Sequence, residues 1–248
     1  MTTSAPYLRR SRIPLVGSVL MLLLAALPVA RSLNVTDSLN VQGSTNLNII
    51  TDSTNAAIGS LNHIAGGVSS SLIVGSSNYL VAPAVGTIVA GTGNAVETAT
   101  KSAVFGKDNY VSGSQSLSAG TLHFVEGSYG FAYGFTNAVA PSATSGMAGG
   151  QLTIAKGVAS ASLGNNTIAH SFASTAIGQY NAKASTTSDE DTNTAARTSW
   201  RGQDTLFVVG NGTGTSSSQR SNAFLVKKDG TIIIKRQGDI PMTGFESQ

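Results

Sequence analysis

Through the middle of the chain, short apolar runs recur with a regular spacing, and each closes on a glycine. These glycines are Gly59, Gly75, Gly91, Gly106, Gly120, Gly134, Gly149, Gly164 and Gly178, at successive gaps of 16, 16, 15, 14, 14, 15, 15 and 14 residues. One residue before them stand Ile58, Val74, Ala90, Phe105, Ala119, Tyr133, Ala148, Leu163 and Ile177; two before come Ala57, Ile73, Val89, Val104, Ser118, Ala132, Met147, Ser162 and Ala176. Successive strand residues face opposite sides, so this run predicts a strand buried on both faces. Small hydroxyls such as Ser71, Thr87, Ser102, Ser116, Ser160 and Ser174 precede it.

A second strand follows each glycine. Five residues on stand Ile64, Leu80, Val96, Val111, Val125, Val139, Ile154 and Ala169, while His63, Tyr79, Glu97, Tyr110, Phe124, Glu126, Thr153 and His170 occupy the opposite face. That alternation predicts one buried and one wet side. Between the strands, Asn62, Asn78, Asn94, Asn109, Asn137 and Asn181 fall three residues after a glycine; asparagine tolerates left-handed backbone, so the pair predicts a corner. The expected fold is all-β: a parallel β-roll or solenoid of about nine coils of 14–16 residues, one coil per repeat. At the strand spacing it is roughly 40 Å long. The doubly apolar first strand needs cover, and other copies of the chain are the simplest cover.

The termini change the picture less than the repeat does. Arg9, Arg10 and Arg12 precede an apolar stretch from Ile13 to Ala30, and Ala30-Arg31-Ser32 offers small residues for cleavage before Leu33. Residues 1–32 are expected to be a signal peptide, favoured over an uncleaved anchor by that small-residue site. The 15 basic and 12 acidic residues give a formal +3. Removing the four arginines of residues 1–32 leaves 11 basic against 12 acidic, a net −1, so no basic surface points to nucleic acid. The chain has no cysteine, and burial and backbone hydrogen bonds must stabilise the exported part. Residues 33–54, with alternating Leu33, Val35, Leu39, Val41, Leu47 and Ile49, predict an N-terminal β cap ahead of the roll at 55–187. A polar linker is expected over 188–203. Residues 204–248 form a C-terminal module: a strand over 204–209, a flexible Gly210–Gly214 stretch and a hairpin turned on Asp229-Gly230.

Segments such as Ser174-Thr-Ala-Ile-Gly178-Gln-Tyr-Asn181 and Ser160-Ala-Ser-Leu-Gly164-Asn resemble the head repeats of YadA-type trimeric autotransporter adhesins. The resemblance covers about residues 55–187. It implies a left-handed roll, a homotrimer and a bacterial surface protein that binds host or matrix surfaces. The sequence shows neither the coiled-coil stalk nor the membrane barrel of that family, so the expectation is an exported rod, secreted or at the cell surface.

Candidate chemistry is sparse. Tyr79, Tyr110 and Phe124 share one repeat position on the wet strand and are the candidate surface for an extracellular protein or glycan, because aromatics supply contact area at little entropic cost. The plainer reading makes them packed surface residues or a second subunit contact. His63, His123 and His170 fall at three different repeat positions, which does not converge on a metal. Gly210-Asn-Gly-Thr-Gly214 lacks the final glycine of a dinucleotide loop, so no cofactor is expected. A secreted solenoid carbohydrate-active enzyme would need paired acids; Glu97 and Glu126 lie two coils apart, about 10 Å, in an otherwise solvated column. An ice-binding solenoid would favour threonine arrays over these serines. The favoured reading is a structural or adhesive protein without catalysis.

Overall fold

Each apolar run becomes a five-residue strand, from Ala56–Ser60 to Thr175–Gln179, and each following column a strand of two or three residues, from His63–Ile64 to Ile168–Ala169. The computed structural model describes residues 49–50, 54–182 and 194–235, all within one unit, Asp37–Gln248. The expected signal peptide, most of the N-terminal cap, the acidic run Asp189–Asp191 and residues 236–248 lie outside the described residues.

Among the described residues the strands form two sheets. The short strands make a nine-stranded sheet that begins at Ile49–Ile50; the long ones make a twelve-stranded sheet. Neighbouring coils pair in parallel with the repeat glycines opposite one another, Gly59 on Gly75 and Gly106 on Gly120. The result is a parallel β-solenoid of about eight turns, close to the nine expected.

Between the sheets runs a narrow core, in one cluster from Ile64 to Ala155 and a second at Ala169 and Ala176. The long strands supply Ile73, Val89, Val104, Ala132, Ala148 and Ala176, and the short strands Ile64, Leu80, Val96, Val111, Val125, Val139, Ala155 and Ala169, all essentially inaccessible. Val68, Ala84, Ala99 and Ala143 fill the far corner. Core side chains shrink along the chain, from Ile73 and Leu80 to Ala169 and Ala176. Burying a valine or leucine contributes about 1.5–3 kcal/mol, so the first coils draw most on burial and the last ones lean on hydrogen bonds and their cap.

Two left-handed residues turn each coil. One lies two residues after the glycine (Leu61, Ser77, Asp108, Leu122), the other five before it (Ser70, Lys101, Gln115, Tyr129). The asparagines that recur three residues after the glycine therefore do not supply the left-handed corner, as their chemistry suggests; they stand one residue later and point inward, and Asn166 alone among the described asparagines takes the left-handed position. The glycines do not end the strand either, since each lies one residue inside it with φ between 91° and 143°.

One glycine was misplaced by the repeat spacing. Gly150, not Gly149, pairs with Gly134 and Gly164. Gly150 has φ 108°, whereas Gly149 pairs with Tyr133 and Leu163 in the outward column. A Cβ on Gly149 would meet the Tyr133 ring, so this glycine makes room for an aromatic side chain. The shift moves Thr153 from the wet face into the interior and puts Ala155, not Ile154, in the core.

Beyond the roll, the expected polar linker contains a one-turn helix, Thr194–Thr198. Thr205–Asn211 then adds in parallel beside Thr175–Gln179, with Val208 opposite Ala176 and Gly210 opposite Gly178. It is one more rung of the same repeat, and it includes the Gly210 and Asn211 that were expected to be flexible. Asn222–Lys227 and Ile232–Ile234 continue the sheet in antiparallel fashion. Their turn is held by the Thr231 N–H donating to Asp229 Oδ1 at 2.9 Å, and Gly230 has φ 87°. That bond keeps the Asp229 carboxyl below the usual carboxylate range.

Candidate functional site

Two surfaces and one interior line concentrate the unusual side chains. The first surface is the outer row of the short-strand sheet. Register places His63, Tyr79, Ala95, Tyr110, Phe124, Ala138, Ile154 and Ile168 one above another. All three sequence-predicted residues lie in this row, but Ala95 separates Tyr79 from the other two. Tyr79 stacks instead on His63, with centroids 4.7 Å apart and planes 18° from parallel. Tyr110 and Phe124 are neighbours, at 6.3 Å and 40°. The strand spacing of about 4.8 Å suits ring on ring along a ladder. Such stacking spends ring faces on the neighbours.

The Tyr110 hydroxyl donates to Glu97 Oε2 at 3.0 Å. Burial, and then this bond, raise the Tyr110 hydroxyl above its ordinary value. Of the other acids in the coils, Asp108 lies 3.7 Å from Lys107 on an exposed corner, and Glu126 is exposed. Among the described residues no group of three or more His, Cys, Asp or Glu gathers as a metal site would require.

The second surface is the outer face of the long-strand sheet, where the structure corrects the doubly buried reading. Only every second residue of these strands faces the core. Ile58, Leu72, Val74, Ile88, Phe105 and Tyr133 are exposed on the outside of a single chain, Ile58 at 62% and Phe105 at 43%. Leu117, Ala119, Phe131, Leu163 and Ile177 continue the same two columns, half-buried among their neighbours. Apart from the Tyr133 hydroxyl and Thr175, these columns are apolar or glycine. Leu61, Leu122, Phe135 and Leu152 add exposed apolar residues at the adjoining corner.

The interior line is polar, and the sequence reading missed its role. Asn78 Nδ2 donates to Asn62 Oδ1 at 2.9 Å and to Gly91 O at 2.9 Å; Asn94 and Asn109 repeat the pattern one and two coils on. The backbone N–H groups of Asn78, Asn94 and Asn109 donate to the same amide oxygens. An amide carries both donors and acceptors, so one residue type satisfies the corner and hands an acceptor to the next coil. A parallel serine line does likewise at the other end of the long strand: Ser116 N–H donates to Ser102 Oγ, and Ser116 Oγ to Gly127 O. The in-register recurrence of asparagine was the available signal.

The asparagine line has substitutes. His123 and Thr153 take its place and are fully buried; Thr167 does so as well. Two of them pair with a serine from the core column of their own coil, Ser118 with His123 at 3.1 Å and Ser162 with Thr167 at 2.9 Å. Thr153 donates to Asn137 Oδ1 at 2.8 Å. His170, placed by sequence on the wet face, is only 6% exposed.

Compared with family models, with characterised proteins and with solved structures, the chain finds no match in any of the three. The functional reading therefore rests on these surfaces and on the repeat.

Proposed function

We propose that this chain is an exported structural or adhesive rod that works as an assembly of its own copies, with the outer face of the long-strand sheet turned toward a neighbouring copy. The observation that carries this is the continuous pair of apolar columns on that face. At strand spacing it is a strip roughly 45 Å long and 10 Å wide, about 450 Å². Isolated exposed hydrophobics are ordinary, whereas a contiguous strip of about 450 Å² is in the range of a monomer's largest apolar patch, which is often functional. A standard interface buries about 800 Å² per partner, and the corner residues Leu61, Leu122, Phe135 and Leu152 extend the strip toward that area. A partner must match a ladder repeating every ~4.8 Å, and a second copy has that period in register.

The number three, the bacterial cell surface and the binding of host or matrix surfaces come from the resemblance to trimeric adhesin heads. In that arrangement the short-strand sheet is left for a ligand, an extracellular protein or a glycan, with Tyr79, Tyr110 and Phe124 as its candidate contacts. Light scattering after gel filtration of residues 33–248 tests the assembly. A trimer mass is expected, and a stable monomer at micromolar concentration would refute it. Replacing Tyr79, Tyr110 and Phe124 by alanine is expected to abolish adhesion to matrix-coated surfaces while the mass stays unchanged; full adhesion would remove these residues from the proposal.

A further inference from the structure

The fifth coil carries the one histidine of the interior line, and its surroundings are built for a neutral ring. His123 is fully buried. Its backbone N–H continues the line by donating to Asn109 Oδ1 at 3.0 Å. Its Nδ1 meets Ser118 Oγ at 3.1 Å, while Nε2 is buried with no well-formed hydrogen bond. An imidazole has no amide oxygen to pass on, so the relay stops here. Asn137, next in line, sends its Nδ2 to Tyr133 O and Gly150 O, and not to His123.

A charge on this ring would meet only the Ser118 hydroxyl and the Gly134 backbone, with no charged side chain to answer it. The groups around it are Ser118 and Gly120 of its own coil, Asn109 of the coil before, and Gly134 and Asn137 of the coil after; none titrates. Lys107, Asp108 and Glu126 of the adjacent corners are exposed. Imidazolium needs two acceptors, and a buried unpaired charge is costly.

We propose that the His123 coil is an acid-sensitive weak point, at which protonation of the ring loosens the roll between its first and second halves. Burial lowers the His123 pKa below the ordinary value, opposed by the Gly134 backbone, and no charged side chain contributes. The unfolded chain takes up this proton near pH 6.5, the folded chain only at lower pH. Stability is therefore complete above about pH 6.5 and falls as pH drops from there through the folded value, because the unfolded state binds the extra proton. Each unit of separation is worth about tenfold in the folding equilibrium.

Native-state hydrogen exchange on the full mature chain at pH 7.5 and 5.0, corrected for intrinsic rates, tests this. Wild type is expected to lose at least about tenfold protection over residues 110–137 on acidification. His123→Asn, which restores the asparagine line, is expected to keep its protection, whereas His63→Asn and His170→Asn are expected to respond like wild type. An unchanged acid response in His123→Asn would overturn the proposal. Should that variant fail to fold, an NMR titration of the wild-type ring decides. A His123 that titrates at or above pH 6.5 ends the idea, and one that stays neutral until the local opening supports it.

Discussion

Gly106, Gly149 and Asn94 are held to their places by different contacts, and each has a different tolerance. Gly106 has φ 120°, and a Cβ there would run into the Gly120 carbonyl of the next coil. Backbone cannot step aside, so Gly106→Ala is expected to cost at least about 3 kcal/mol or to prevent folding. Gly149→Ala meets only the Tyr133 ring, which can rotate. We expect it to cost less than about 2 kcal/mol and to shift the Tyr133 ring signals in NMR. Equal losses in urea melts of the two variants would refute the assignment of Gly150 as the repeat glycine. Asn94→Ala removes the side-chain donor to Gly106 O and the acceptor of both Asn109 donors, while Asn78 Oδ1 keeps the residue-94 backbone N–H, so a loss of about 2–4 kcal/mol is expected from the same melts.

At the level of elements, the closing strands explain how a core of alanines stays ordered. Ala169, Ala176, Val208 and Leu225 form one buried cluster, which unites the last coils with the C-terminal strands. Polar links reinforce it. Asn222 pairs with both backbone groups of Ala182, at 2.8 and 2.9 Å, and Ser171 Oγ donates to Thr205 O at 2.7 Å. Arg220 reaches Asn166 O, Asn166 Oδ1 and Asn181 O at 3.1, 2.6 and 3.2 Å. The planar guanidinium spreads these bonds over two separate nitrogens, whereas an ammonium gathers its three donors on one atom. Arg220→Lys is therefore expected to raise hydrogen exchange several-fold at the corner amides of residues 166–181 and to leave residues 60–110 unchanged. Val208→Asp places an unpaired charge in the cluster; the last coils are expected to fray while the first coils keep their protection.

For the whole molecule the decisive feature is that a single chain leaves its long-strand face apolar from Ile58 to Val209. The core is only two side chains thick, so half of the apolar residues of those strands have no place inside. Phe105→Asp is expected to break assembly, read as a fall in light-scattering mass to that of a monomer, without unfolding the coil, since this side chain lies outside the core. An unchanged mass would place the self-association surface elsewhere.

Coil number, strand content and the apolar columns were legible in the chain because they follow from local demands repeated many times: a glycine where the backbone needs positive φ, apolar residues where a strand is buried. Averaging over nine copies makes such demands plain even in a degenerate repeat. Three things were not legible, each for want of knowing what faces what. Gly149-Gly150 offers two registers one residue apart, and only the neighbouring coils separate them, through the close approach of Gly150 to the Gly164 carbonyl and of Gly149 to the Tyr133 ring. The rung at Gly210 follows Gly178 after a long excursion, so no spacing announces it, although pairing with Thr175–Gln179 makes it part of the roll. The asparagines suit a left-handed turn on chemistry alone; stacking coil on coil turns them inward, where their amides find partners in the adjoining coils. Local backbone energetics write the coil, and contacts between coils decide which side of it is inside.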